Sequence, residues 1–397
     1  MLFDPERHEA LSDQPWDPAL ARSVIERIFA DACNRYRSGS GWPVHPLDSP
    51  DAGKVLYMLY AGVAGVIWGL DQLQRMGVGR APDFTPALAS LLENNRRAIA
   101  SFACENYGLL CGDAGILYLT WKLSPSKRAA SLLAQAIDAN QDNPVLELMW
   151  GAPGTMLLAL TMQELTNESS WQERFVQGAQ CLRQALRRDE RLGCELWSQL
   201  LYGERSQLIG AVHGFAGNAY ALIRGRHLLS QSDWSWWEQR VAQAMQATSS
   251  TVEGMSNWPQ SIGAPRDGRA GWLVQHCHGA PGIVVSLADM PGTDCDVLLR
   301  QAGELTWHAG PLRKGSNLCH GTAGNGYAFL KLYLRTGEPV WLERARAFAM
   351  YAIGQCEADH RRYGRYRYSL WTGDVGLAFF LCSCLQGTAQ FPTLDVF

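Results

Sequence analysis

Two kinds of helical stretch alternate along this chain. Stretches that are apolar on almost every side follow a recurring Gly-x-x-Gly, as in Ile116-Leu117-Tyr118-Leu119 and Thr155-Met156-Leu157-Leu158-Ala159-Leu160. Stretches with one apolar and one charged face lie between them, at residues 86–104, 170–188, 234–247, 295–308 and 340–357. A helix that is apolar all round is buried, whereas a one-faced helix lies outside. The glycine pairs are Gly62/Gly65, Gly112/Gly115, Gly151/Gly154, Gly214/Gly217, Gly279/Gly282, Gly321/Gly324 and Gly373/Gly376, seven copies in all. Their spacing is too uneven for a fixed-period solenoid, but self-similarity on this scale marks a repeat architecture. The pattern predicts an all-α fold, an α/α toroid with a double ring of seven inner and seven outer helices. Strand signals are weak, with few alternating runs and no Asn-Gly hairpin.

Residues 1–50 are rich in Pro, Asp and Trp and hold one helical pattern, 18–36, with Leu20, Val24, Ile25, Ile28 and Ala32 on one face. Asp17 before Pro18 makes a helix start. Residues 1–397 read as a single domain, with 1–50 as its N-terminal helix and cap segment. A glycine just before a helix permits φ > 0 and close backbone packing. If every inner helix starts at its glycine pair, the residues just before each first glycine line one rim. The metal-competent ones fall in consecutive copies: His213, then Cys277-His278, then Cys319-His320.

Composition narrows the partners. Hydrophobic content is 47% and charge 18%, so a sizeable core is available and disorder is not expected. A net charge of −3 argues against nucleic-acid binding through bulk electrostatics. No apolar run approaches a membrane span. The opening residues lack an export signal, which points to a cytoplasmic protein whose eleven cysteines are reduced thiols. In that setting a metal site is favoured over a disulfide framework.

Thiolate and imidazole are the ligand types Zn²⁺ prefers. Cys277, Cys319 and His320 supply three ligands and leave a fourth position open, as in catalytic zinc sites. His213, His276 and His278 compete for the ligand role. His213 is better placed as a general acid/base, because it sits on the neighbouring copy and imidazole suits proton transfer near neutrality. His276 reads as a residue of the cavity wall. Glu147, four residues before Gly151, either orients His213 or caps the following helix. Arg313 and Lys314 precede Cys319 and suit the carboxylates of an anionic substrate. Solvated loop charge is the simpler reading for most of Arg361, Arg362, Arg365 and Arg367.

Gln275-His276-Cys277-His278-Gly279-Ala280-Pro281-Gly282 and Leu312-Arg313-Lys314-Gly315-Ser316-Asn317-Leu318-Cys319-His320-Gly321 are long motifs. In them, and in all seven glycine pairs, the chain resembles the lanthionine synthetase C-like family. The resemblance implies an α/α toroid with zinc at Cys277, Cys319 and His320. It implies a catalytic histidine at His213 with Glu147 as acidic partner, and addition of a thiol to dehydroalanine or dehydrobutyrine. His278 after the first zinc cysteine, the Arg313-Lys314-Gly315 approach and Phe391-Pro392 resemble the stand-alone branch, which binds glutathione. His276 departs from the Trp usual there. The expected enzyme is a zinc-dependent thiol transferase that joins glutathione or a similar small thiol to a dehydroamino-acid-containing peptide or protein. Lys314, Arg313 and His278 are then assigned to the thiol. The alternatives are a lanthipeptide cyclase closing intramolecular thioether rings and a non-catalytic glutathione-binding scaffold. A prenyltransferase-like toroid would want an Asp-Cys-His zinc set. A toroid glycosidase would want a second carboxylate beside Glu147.

Overall fold

The computed structural model describes residues 1–51, 53–100, 106–263 and 271–397. Its helices alternate as the hydrophobic pattern does. The one-faced set is α1 (Pro18–Asn34), α3 (Thr85–Ile99), α5 (Lys127–Ala139), α7 (Ser169–Ala185), α9 (Gln231–Thr248), α11 (Asp296–Ala309) and α13 (Pro339–Tyr363). The all-round apolar set is α2 (Val63–Arg75), α4 (Asp113–Leu123), α6 (Ala152–Thr166), α8 (Phe215–Arg224), α10 (Ala280–Leu287), α12 (Thr322–Thr336) and α14 (Asp374–Gln386). Every member of the second set begins directly after the first glycine of a pair. Residues 101–104 of the expected 86–104 stretch lie outside the described residues.

The chain forms two compact units. One comprises Met1–Pro5, Phe102–Leu110 and Ser131–Ala309; the other comprises Glu6–Ser101, Cys111–Ala130 and Gly310–Phe397. Within the first, α6, α8 and α10 pack side by side, with α7 against α6 and α11 against α10. Within the second, α12, α14, α2 and α4 form the corresponding series, backed by α13, α1 and α3. The N-terminal helix α1 is thus an outer helix of α14. Asp17 caps it as expected, its Oδ1 accepting from the Ala19 and Leu20 N–H groups at 2.9 Å each.

The N-cap glycines of the inner helices offer no side chain, and several of these helices use the preceding loop instead. The N–H groups of Thr322, Ala323 and Gly324 donate to the carbonyls of Gly315, Ser316 and Asn317 at 2.9, 3.2 and 3.2 Å. Val63 and Ala64 reach Leu56 and Tyr57 in the same way, and Ala216 and Gly217 reach Ile209 and Gly210. These bonds satisfy orphan donors of each helix end and fold the loop tightly back on the helix. The glycines follow from that closeness. A Cβ on Gly65, Gly154, Gly217, Gly282 or Gly376 would drive into the carbonyl oxygen six residues earlier. Positive φ matters at only one first glycine among the described set, Gly279 at φ 103°.

Among the described residues the weak strand signal conceals seven short strands, all in the first unit. They are β1 (Arg187–Asp189), β2 (Cys194–Leu196), β3 (Gln199–Leu201), β4 (Glu204–Leu208), β5 (Ser250–Val252), β6 (Met255–Asn257) and β7 (Ser261–Ile262). They pair antiparallel as β1–β2, β3–β4–β7 and β5–β6. At two to five residues each they are too short for alternation to register. Two hairpins turn through Tyr202-Gly203 and Glu253-Gly254, each with φ positive at both positions. That is the type I′ turn with Tyr or Glu where Asn is usual.

One buried group makes the second unit acid-sensitive. His45 is 3% exposed, its Nδ1 accepts from the Leu47 N–H at 3.2 Å, and its ring meets Tyr363 edge-on. Burial first, then the charges of Arg367 and Arg365, pull its pKa from 6.5 to about 4. The unfolded chain therefore binds a proton that the folded chain refuses. Stability is fully present above 6.5 and is lost as pH falls from 6.5 toward 4. At pH 5 the loss from this group is about 1–2 kcal/mol. His45→Asn, which keeps an acceptor for Leu47, is expected to flatten Tm between pH 7 and 5. Equal slopes in both proteins would assign the acid sensitivity elsewhere.

Candidate functional site

Cys277 sits at the tip of a closed turn in the first unit. Gln275 and His278 exchange both backbone hydrogen bonds at 3.1 Å, and His276 and Cys277 form the bend between them. The Gln275 Nε2 donates to the Cys277 Sγ at 2.9 Å. His276 is fully enclosed, and burial lowers its pKa to about 3, so its imidazole is neutral. Behind the turn, the Asn257 Oδ1 accepts from the Ala280 N–H at 2.8 Å and fixes the start of α10.

Cys319 and His320 occupy the tight loop that caps α12 in the second unit. The Trp371 carbonyl accepts from the N–H groups of both Leu318 and Cys319, at 3.1 and 2.9 Å. Trp371 is itself fixed, its N–H donating to the Tyr60 carbonyl and its indole Nε1 to the Thr393 hydroxyl. The Asn317 Oδ1 accepts from the His320 N–H at 3.0 Å.

The donor atoms of Cys277, Cys319 and His320 all lie within 4.8 Å of one another, and no other such group of three occurs among the described residues. Both cysteines are free thiols, so the disulfide reading does not hold. Burial, then the charges of Lys314 and Arg367, lower the His320 pKa to about 4, with Asp48 opposing. The imidazole is therefore neutral, the form that binds a metal. Two thiols and one neutral imidazole fit a zinc ion, with room for one further ligand.

His213 and Glu147 form a separate pair inside the first unit. The His213 Nδ1 lies 2.7 Å from the Glu147 Oε2, and Glu147 is fully buried. Glu147 also accepts from the Trp150 N–H at 2.6 Å and the Met149 N–H at 3.0 Å. Of the two roles left open in the sequence, Glu147 is placed to orient His213; it holds the N–H groups of Met149 and Trp150 in the turn before α6 but does not cap that helix. Leu146 takes a left-handed backbone, φ 46°, to present it. A non-glycine residue there costs about 1–2 kcal/mol. With Nδ1 bonded to the carboxylate, Nε2 is the exchangeable nitrogen of His213. The rings of His213 and His278 lie 6.1 Å apart.

A cavity of about 510 Å³ in the second unit is lined by His320, Lys314, Arg313, Arg362, Arg367 and Glu9, among others. Arg313 is committed to structure, its Nε donating to the His8 carbonyl at 3.0 Å. Lys314 is exposed into the cavity, and its charge is felt at His320. Arg362 and Arg367 line the same cavity, Arg362 as an exposed side chain. Arg365 does not line it; it ties down the Val44 carbonyl at 3.0 Å. Arg362 ends α13 and Arg367 pairs with Asp48 through its Nε at 2.7 Å.

Comparison with known proteins adds four findings. The profile of the lanthionine synthetase C-like proteins matches residues 54–396. A zebrafish (Danio rerio) protein named glutathione S-transferase LANCL1 is 28% identical over 368 residues, 85% of this chain and 84% of its own. The Arabidopsis thaliana LanC-like protein GCL1 is 38% identical over 204 residues, 47% of this chain and 43% of its own. Among solved structures, nisin cyclase superposes with a TM-score of 0.57 at 15% identity, covering 95% of this chain and 99% of that one. The fold is accordingly all-α, an α/α toroid. No helix among the described residues is long and apolar enough to cross a membrane.

Proposed function

The chain belongs to the lanthionine synthetase C-like family, and from that premise we propose that it is a zinc-dependent enzyme adding glutathione, or a similar small thiol, to dehydroalanine or dehydrobutyrine residues of a peptide or protein. The observation that carries this reading is the convergence of the Cys277, Cys319 and His320 donor atoms within 4.8 Å. The name of the zebrafish relative, a glutathione S-transferase, supports the choice of thiol. Zinc held by these residues supplies, when bound, an open position at which a thiol loses its proton. The cationic cavity beside His320 binds the carboxylates of the thiol, with Lys314 as the contact. The new C–S bond forms at the β-carbon as the C=C bond breaks. His213 takes on Nε2 the proton the thiol loses and delivers it to the α-carbon, and the Glu147 carboxylate at Nδ1 orients the ring and stabilises the imidazolium formed in between.

Turnover is tested by incubating the zinc-loaded protein with glutathione and a dehydroalanine peptide and weighing the product. A thioether adduct that vanishes on chelation is expected. Ring closure of a cysteine-bearing dehydropeptide in preference to adduct formation would make the protein a cyclase. Glutathione binding without turnover of either would make it a scaffold.

Lys314 gives a sharper prediction. A charge-assisted bond to a carboxylate is worth roughly 1.5–3 kcal/mol, about ten- to hundred-fold in affinity. Lys314→Ala is expected to weaken glutathione binding by that factor, measured by calorimetry, while zinc stays bound. Mercaptoethanol, which has no carboxylate, should be affected far less. Equal losses for both thiols would make Lys314 structural.

A further inference from the structure

We propose that Tyr202, at the tip of the β3–β4 hairpin, is a binding element for the dehydrated peptide and not for the thiol. The proposal rests on the reading above that such a peptide is the electrophile. Tyr202 occupies the first position of the two-residue turn with φ 53°, and Gly203 follows at φ 81°. A bulky residue is an outlier there, and such strain collects at functional positions. Backbone geometry does not ask for tyrosine, because Glu253 fills the same position of the β5–β6 hairpin at φ 52°.

Its neighbour sets Tyr202 apart. The hydroxyl accepts from the Trp150 Nε1 at 3.2 Å. Trp150 in turn donates its backbone N–H to Glu147, which bonds to His213. Three successive hydrogen bonds therefore run from the hairpin tip to the imidazole assigned to proton transfer. Trp150 is 2% exposed and Tyr202 is 47% exposed, so the tyrosine ring is the part of this chain open to a ligand. An exposed aromatic face suits the flat, unsaturated amide of a dehydro residue. Beside the tip, Glu204 and Arg205 offset one another's charge, so the hairpin presents no net cation for a carboxylate. The thiol's charges find that cation at Lys314.

The test compares Tyr202→Asn, Tyr202→Phe and wild type, using a fluorescein-labelled dehydroalanine peptide followed by anisotropy, with no thiol present. Asn prefers the left-handed turn position, so the Asn variant is expected to keep or raise Tm. It should nevertheless bind the peptide about ten-fold more weakly, as loss of an aromatic anchor does. Tyr202→Phe keeps the ring and is expected within about three-fold of wild type, since a single neutral hydrogen bond adds little net affinity. Glutathione affinity should be unchanged in both. Peptide binding equal in the Asn variant and wild type, or no peptide binding by wild type, would overturn the proposal. If wild type binds the peptide but turns over nothing with glutathione, the thiol-addition reading fails while the Asn comparison still decides the role of Tyr202.

Discussion

Cys319→Ala is expected to remove stoichiometric zinc and, with it, turnover. Removing a partner that merely orients a metal ligand costs about 10–100-fold in affinity. Deleting one of three protein ligands should exceed the upper end of that range. Cys277→Ala is expected to behave alike, because the two sulfurs are equivalent members of the donor set. Chelator sensitivity separates ligation from packing. A metal that binds only the folded state raises Tm, so chelation should lower Tm in wild type and leave Cys319→Ala unmoved. If the cysteines were only small buried hydrophobes, each alanine variant would lose a little stability and keep its response to chelator. Full zinc occupancy in a Cys277→Ala, Cys319→Ala double variant would end the assignment.

The helices were legible because burial acts on whole faces. A stretch such as Asp374–Gln386, buried from Asp374 to Cys384, has no polar side left to write. A stretch such as Pro18–Asn34 keeps its apolar residues on one stripe. Sequence reasoning offered left-handed backbone as one reason for the glycines, but nearly all of them serve close approach to the preceding loop. A glycine looks the same in sequence under either demand. The hairpins escaped because their turns use Tyr202-Gly203 and Glu253-Gly254, where context overrides turn preference.

The candidate site divides in the same way. Cys277, Cys319 and His320 stood out because rare ligand types recurred at one place in a repeat. The pairing of His213 with Glu147 was offered as one of two readings; the carboxylate bonds His213 and the turn at Met149 and Trp150, and α6 has no side-chain cap. Gln275 left no signal, since an amide two residues before a cysteine has no distinctive pattern until the turn brings it to the sulfur. Arg361, Arg362, Arg365 and Arg367 were weighed together as anion binders or solvated charge, and sequence could not single out Arg362 and Arg367 because a charge near a helix end reads identically whether it faces bulk water or a cavity.

His213→Ala should slow thioether formation by about 10²–10⁴-fold, the usual worth of a positioned acid or base, while zinc and glutathione remain bound. The stereochemistry of the product gives a second readout. With His213 present, the proton reaches the α-carbon from one side and one epimer forms. Without it, water protonates either face, so residual product should contain both epimers on chiral analysis. Glu147→Gln is expected to behave differently. Its carboxylate accepts from Trp150, Met149 and His213 through its two oxygens. A glutamine turns one of those oxygens into a donor and sets it against a buried N–H. Such a mismatch costs about 1–3 kcal/mol, so this variant should lose both Tm and rate. His213→Ala, at a side chain 19% exposed, should lose rate with little change in Tm. Release of zinc from His213→Ala would move that histidine into the ligand set. A single epimer from His213→Ala would assign the proton to another donor and leave Glu147 with a purely structural role.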